Sequence, residues 1–106
     1  MDKLDEIYKK QYDLQQKLNT ATFTQHYKTI MSIAIIDEVM ESLRETPWKP
    51  WKINQKLNEE KYKQELIDVL HFYLNLCISI NMKPNEIYKR YMKKNKINIK
   101  RKNGGY

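Results

Sequence analysis

The sequence predicts an all-α domain of four bundled helices, and three observations carry that reading. Breakers are scarce, with two Gly and three Pro in 106 residues, and both glycines fall within the last three positions. Helix-favouring Lys, Leu, Ile, Glu and Gln dominate the rest. Apolar side chains recur at steps of three and four, the signature of a helix with one covered face. The length suits a single small domain, of the size that often gains from a partner subunit.

The spacing of Leu4, Ile7, Gln11, Leu14 and Leu18 predicts a first helix over residues 3–18. Residues 19–24 break the pattern. A second helix is predicted from about Thr24 to Glu45, with Ile30, Ile33, Ile36, Val39, Met40 and Leu43 as its apolar stripe. Thr46-Pro47 ends it, because proline pushes the preceding residue out of the helical region. Residues 47–58 form a connector carrying Trp48 and Trp51. A third helix is predicted from about Glu59 to Ile80; it is apolar on most sides after Leu66 and is expected to be the most buried. Pro84 suits the first turn of a fourth helix, predicted to end near Asn95. The last eleven residues read as irregular. The chain thus divides into a helical domain, 1–95, and a basic tail, 96–106.

Charge is unevenly spread. From Lys83 onward, nine basic side chains (Lys83, Lys89, Arg90, Lys93, Lys94, Lys96, Lys100, Arg101 and Lys102) face one acid, Glu86, for a net +8. The whole chain carries +7, so the remaining body is close to neutral. A basic tail on a neutral body points to an anionic ligand, either phosphate groups or nucleic acid. The lone Cys77 excludes an intramolecular disulfide framework and a Cys-rich zinc site, and reads as a buried small hydrophobe. No signal-peptide pattern opens the sequence, and the longest apolar run, Val69 to Ile80, is too short and polar to span a bilayer. A soluble cytoplasmic protein is expected.

Two acidic pairs carry the chemistry. Glu38 and Glu41 stand three apart on the second helix, and Glu65 and Asp68 three apart on the third. Such residues share a helical face, about 5–6 Å apart at Cβ. Two pairs facing each other make an all-oxygen cage, the donor set preferred by Mg²⁺ and Mn²⁺. Each pair is flanked by apolar residues, and buried carboxylates need a compensating charge. The alternative is a solvated acidic stripe, for which a single ExxE is equally suited. Glu45, one turn on, is expected at the exposed helix end. His71 is expected to support a ligand or fill the core.

These residues resemble the dimeric all-α dUTPases, within the MazG-like all-α nucleoside triphosphate pyrophosphohydrolases. The resemblance runs from Gln16-Lys-Leu-Asn19, through Glu38-Val-Met-Glu41 with the Trp48-Lys-Pro-Trp51-Lys52 element, to Glu65-Leu-Ile-Asp68-Val-Leu-His71-Phe72. It closes with Lys94-Asn95, Asn98, Arg101, Gly104 and Tyr106, although Lys102 stands where that family has Gln and the chain is short for the group. It implies a four-helix, bundle-like domain that hydrolyses dUTP, and dUDP as well, to dUMP with Mg²⁺ as cofactor and Mn²⁺ as a substitute. Glu38, Glu41, Glu65 and Asp68 would be both metal ligands and catalytic groups, with Glu38 orienting or deprotonating the attacking water. Gln16 and Asn19 would meet the uracil edge, if they are not simply helix-end residues. Trp51 and Phe72 would wall the base or sugar, if they are not packing residues; for Trp48, packing is favoured. Lys94, Asn98, Arg101 and Tyr106 would clamp the phosphates as the tail closes over them.

A homodimer is the expected partner arrangement, with no membrane. The same fold also fits hydrolysis of dCTP, or of deoxynucleotides in general. A different class, a small basic helical protein that binds nucleic acid, would use the tail. It leaves the four acids unexplained, and they would repel phosphates.

Overall fold

The computed structural model describes residues 2–18 and 21–104. They form four helices and no strand: α1 (Lys3–Lys17), α2 (Gln25–Arg44), α3 (Glu59–Ser79) and α4 (Pro84–Asn103). Each of the first three starts on a side-chain cap. Asp2 accepts from the Asp5 amide at 2.8 Å, and the Asp5 carboxylate takes the Asp2 amide in return. Thr24 caps α2 and Asn58 caps α3 through the amides of Tyr27 and Lys61. Pro84 opens α4, where its missing N–H costs nothing.

α2 and α3 form the central antiparallel hairpin, and α1 packs on α3. Gln11 of α1 meets Asn75 of α3, and Gln15 meets Tyr27 at the start of α2. The core gathers in the C-terminal half of α3, where Leu74, Cys77 and Ile78 are almost completely buried, with Tyr27 of α2 against α1. Buried polar side chains tie the three helices together. Gln11 Nε2 donates to Asn75 Oδ1 at 2.7 Å, Asn75 Nδ2 to Met31 Sδ at 3.4 Å, and the Tyr27 hydroxyl to Gln15 Oε1 at 2.8 Å. Burial pushes the Cys77 thiol up, as befits a space-filling residue. No helix among the described residues is long and apolar enough to cross a membrane.

The structure departs from the sequence reading in two places. The residues after Asn95 are not irregular: α4 continues to Asn103. Nothing in the run 96–103 breaks a helix, and its cations at the C-terminal end favour the helix dipole. The apolar stripes are also less covered than expected. Ile33 and Ile36 on α2, and Leu66 and Ile67 on α3, face outward. Only the C-terminal half of α3 is enclosed. Among the other helices, α4 meets α1 alone. The radius of gyration is therefore 17.0 Å, against about 13 Å expected for a spherical domain of this length.

The amide bridge between α1 and α3 gives a first prediction. Asn75→Ala strands the Gln11 amide in the core and should destabilise the fold by about 1–3 kcal/mol. The double change Gln11→Leu with Asn75→Leu removes both partners and should cost less. Urea midpoints of the three proteins test this; equal losses for the single and double variants would show that the bridge carries no weight.

Candidate metal centre

The antiparallel course of α2 and α3 brings the two acidic pairs to one level. Glu38 and Glu41 lie in the last two turns of α2, and Glu65 and Asp68 in the second and third turns of α3. One carboxylate oxygen from each of Glu38, Glu65 and Asp68 lies within 4.8 Å of the others. Oxygens around a single Mg²⁺ sit at about 2.1 Å from the ion and so at most about 4.2 Å apart. Small side-chain rotations therefore suffice to close the trio on one cation. Glu41 borders the trio, against Glu65.

The electrostatics of the acids suit a bound positive charge. Glu38 Oε2 and Glu65 Oε2 are enclosed and have no hydrogen-bond partner. Among the described residues, the ion pairs join Lys9 to Asp13, Lys63 to Glu59 and Arg90 to Glu86; none reaches the four acids. Ionised carboxylates only accept, so facing acids have nothing to offer one another unless a proton or a cation joins them. The Glu38 carboxyl is accordingly pushed up to about 7, first by burial, then by a hydrogen bond shared with Glu65 and by the charges of Glu41 and Asp68. Glu41 is raised too, first through its hydrogen bond with Glu65. Asp37 adds to that rise and was missed in the sequence reading. Its spacing of four from Glu41 places it on the same helix face and was a usable signal.

The connector at the acid-bearing end of the hairpin is well built. The Asn58 amide donates to Glu45 O at 2.9 Å, and the Gln55 side chain bonds the backbone oxygens of Lys49 and Lys52. Within this loop Trp48 and Trp51 pack edge to face, with centroids 5.7 Å apart. Trp48 is half-covered, with the Lys49 ammonium 5.7 Å from its ring centre, while Trp51 is 73% exposed. Trp51 is thus an open aromatic surface on the connector, with Trp48 packed against it.

The remaining site residues are distributed as follows. Gln16 is exposed near the end of α1 and lines a shallow hollow with Tyr12, Phe23 and Thr24, which contains none of the acids. Its neighbour Gln15 bonds Tyr27 at the start of α2, the end of the hairpin away from the acids, so the structure does not bring Gln16 to them. Asn19 and Tyr106 lie outside the described residues. Phe72, one turn past Asp68, is half-buried. His71, expected to support a ligand or fill the core, is exposed and lines an apolar groove between α1 and α3 with Leu14, Ile67 and Leu74, which contains none of the acids. Lys94, Asn98 and Arg101 share one exposed face of α4, which contacts neither α2 nor α3. The acids are thus brought together within one chain, whereas Lys94, Asn98 and Arg101, expected from the resemblance to bind phosphate, are not brought to them.

Fold and site together define a small all-α domain with a carboxylate cage shared by two antiparallel helices. The chain belongs to the dimeric all-α dUTPase family, whose profile matches residues 3–86 and 73–106. It is similar to the dCTP pyrophosphatase of Enterobacteria phage T4, with 37% identity over 71 residues, covering 56% of this chain and 42% of that protein. The dCTP pyrophosphatase of Enterobacteria phage LZ5 is 39% identical over 71 residues, covering 56% and 41%. A DNA replication protein of phage T4 is 36% identical over 67 residues, covering 50% of this chain and 17% of that protein. The chain thus spans less than half the length of these curated relatives. No solved structure matches it.

The raised Glu38 value sets a pH dependence for the protein without metal. Between the ordinary carboxylate value of 4.5 and about 7, the folded state holds a proton that the unfolded chain has released. Its contribution to stability is full below 4.5 and is lost as pH rises toward 7. In chelator, Tm should fall across that window, and Glu38→Gln should flatten the fall. A Tm profile identical in the two proteins would remove Glu38 as its source.

Proposed function

We propose that this protein is a Mg²⁺-dependent nucleoside triphosphate pyrophosphohydrolase acting on a pyrimidine deoxynucleotide, with dUTP, and dUDP beside it, as the first substrate to test. The observation that carries the reading is the three-oxygen cage on α2 and α3, with two enclosed carboxylate oxygens lacking any partner. Glu38, Glu65 and Asp68 would hold the cation, with Glu41 completing the set. Bound there, Mg²⁺ or Mn²⁺ supplies positive charge for phosphate oxygens and acidifies water. By the family resemblance, Glu38 also orients or deprotonates the attacking water. Trp51 offers the base a stacking surface, and Gln16 an amide edge. The exposed apolar stripes of α2 and α3 support association into a homodimer.

A second reading, dCTP as substrate, is favoured by the names of the phage relatives. An amide suits either base, since rotating it exchanges donor and acceptor. Gln16 alone therefore does not choose between uracil and cytosine.

Pyrophosphate release from dUTP, dCTP, dATP and dGTP with Mg²⁺ tests the proposal directly. Turnover of pyrimidine substrates only is expected, and the faster of the two names the base. Glu41→Gln and Glu38→Gln should each lower kcat at least about 100-fold while circular dichroism stays helical. Retained turnover in both would sink the metal-site assignment. Mg²⁺ should also raise Tm at pH 7.5 in the parent protein and less so in Glu38→Gln.

A further inference from the structure

The end of the bundle away from the acids holds a second concave feature. Tyr8 and Tyr12, four apart on α1, and Phe23, just before α2, stand around a hollow of about 330 Å³ that reaches down to Ile78 of α3. Ile78 is 1% exposed, whereas Tyr12 and Phe23 keep 39% and 58% of their surface open. Among the described residues no ring contact joins the three aromatics, so their faces are free for a further planar group. Pockets for small ligands begin at about 300 Å³. This one admits a ring system with a short arm and is too small for a folded partner to enter. Ile78 stands ten residues past Asp68 on α3, about 15 Å along the axis. The hollow is therefore no part of the carboxylate site.

Its rim is cationic. Lys9 of α1 and Lys83 of the α3–α4 turn border it, and none of its lining residues is acidic. Lys9 pairs with Asp13 at 2.9 Å in the open, a bond that a ligand anion can replace at little cost. Lys83 enters no ion pair among the described residues and gives α4 no side-chain cap. Its place at the start of α4 puts it beside the positive end of that helix dipole. Asn81 completes the rim. Its φ of 55° is the left-handed conformation that ends α3, and its amide offers a donor and an acceptor. Burial keeps the Tyr8 phenol above its ordinary value, so it stays a neutral donor. Closing α3 needs Asn81 alone. Uncovered rings over a buried floor, with cations from two separate elements, match something flat and anionic.

We propose that this hollow is a second ligand site, which takes a small planar aromatic molecule carrying one anionic group, a phosphate or a carboxylate. The ring enters among Tyr8, Tyr12 and Phe23, and the anion meets Lys83 and Lys9. A ligand seated there ties the start of α4 to α1. The site needs no metal and does not depend on the reading of the carboxylate cage.

Titration of the ¹⁵N-labelled full chain in EDTA, followed by amide shifts, tests this with four probes. AMP carries ring and phosphate, indole-3-acetate ring and carboxylate, adenosine the ring alone, and ribose 5-phosphate the anion alone. At least one of the first two should shift the Tyr12, Phe23, Asn81 and Lys83 amides and saturate. Which of them does so names the anion. The indole N–H signals of Trp48 and Trp51, on the connector at the other end of the hairpin, should stay in place. Adenosine and ribose 5-phosphate should each bind at least about 10-fold more weakly, one stacking or one charge contact having been lost. Lys83→Gln should weaken the anionic probe to the level of its uncharged counterpart and leave adenosine unchanged. Tyr12→Ala should weaken every ring-bearing probe. Both side chains are exposed, and an unchanged Tm would show that each variant keeps its fold. Equal affinity for AMP and adenosine together with no binding of indole-3-acetate, shifts that reach the tryptophan indoles as strongly as the hollow, or no saturable shift by either anionic ring overturns the proposal.

Discussion

Everything at the functional end of this molecule follows from one electrostatic constraint: carboxylates from two helices converge, and their mutual repulsion has to be offset. Glu38 and Glu65 each keep an oxygen enclosed and unbonded, and Asp68 lies within reach of both. Left ionised, they repel. The chain alone relieves this by keeping a proton, which is why Glu38 rises to about 7. A divalent cation relieves it more completely. The α2–α3 hairpin must hold the acids in place against that repulsion, and the rest of the fold serves to hold the hairpin.

It does so from both ends. At the far end, Leu74, Cys77 and Ile78 fill the small core, and the Gln11–Asn75 and Tyr27–Gln15 bridges set how α1 sits against the hairpin. Apolar contacts alone tolerate sliding; buried amides penalise it, because each misaligned group loses its partner. At the near end, the Gln55 clamp and the Asn58–Glu45 bond fix the connector that carries the two tryptophans. Glu38 and Glu65 thus face each other between two anchored ends.

Much of this was legible in the sequence. The apolar periodicity and the break at Thr46-Pro47 located α2 and α3 to within a residue or two. The two ExxE/D spacings named the residues that converge. Local rules succeeded because proline geometry and helical periodicity act over a few residues. They failed where the outcome depended on distant packing. The flanks Leu66 and Ile67 read as enclosure and are in fact exposed, since apolar character says that a residue wants cover but not which surface supplies it. The run after Asn95 read as irregular because its cations suggested a tail, although it contains no breaker before Gly104 and has ample helix formers. Asp37 was passed over because it lies outside the ExxE frame.

The exposed stripes follow from where the core forms. It is committed to the end of α3 away from the acids, and α4 leaves from that same end. Ile36, Leu66 and Ile67, the sequence neighbours of the acids, are left open to solvent. The two ends of the hairpin are therefore held by different means: burial secures the far one, whereas the near one rests on the hydrogen bonds of the connector. Repulsion among the acids acts on the end with less buried apolar contact, so whatever neutralises them stabilises the hairpin where it is weakest.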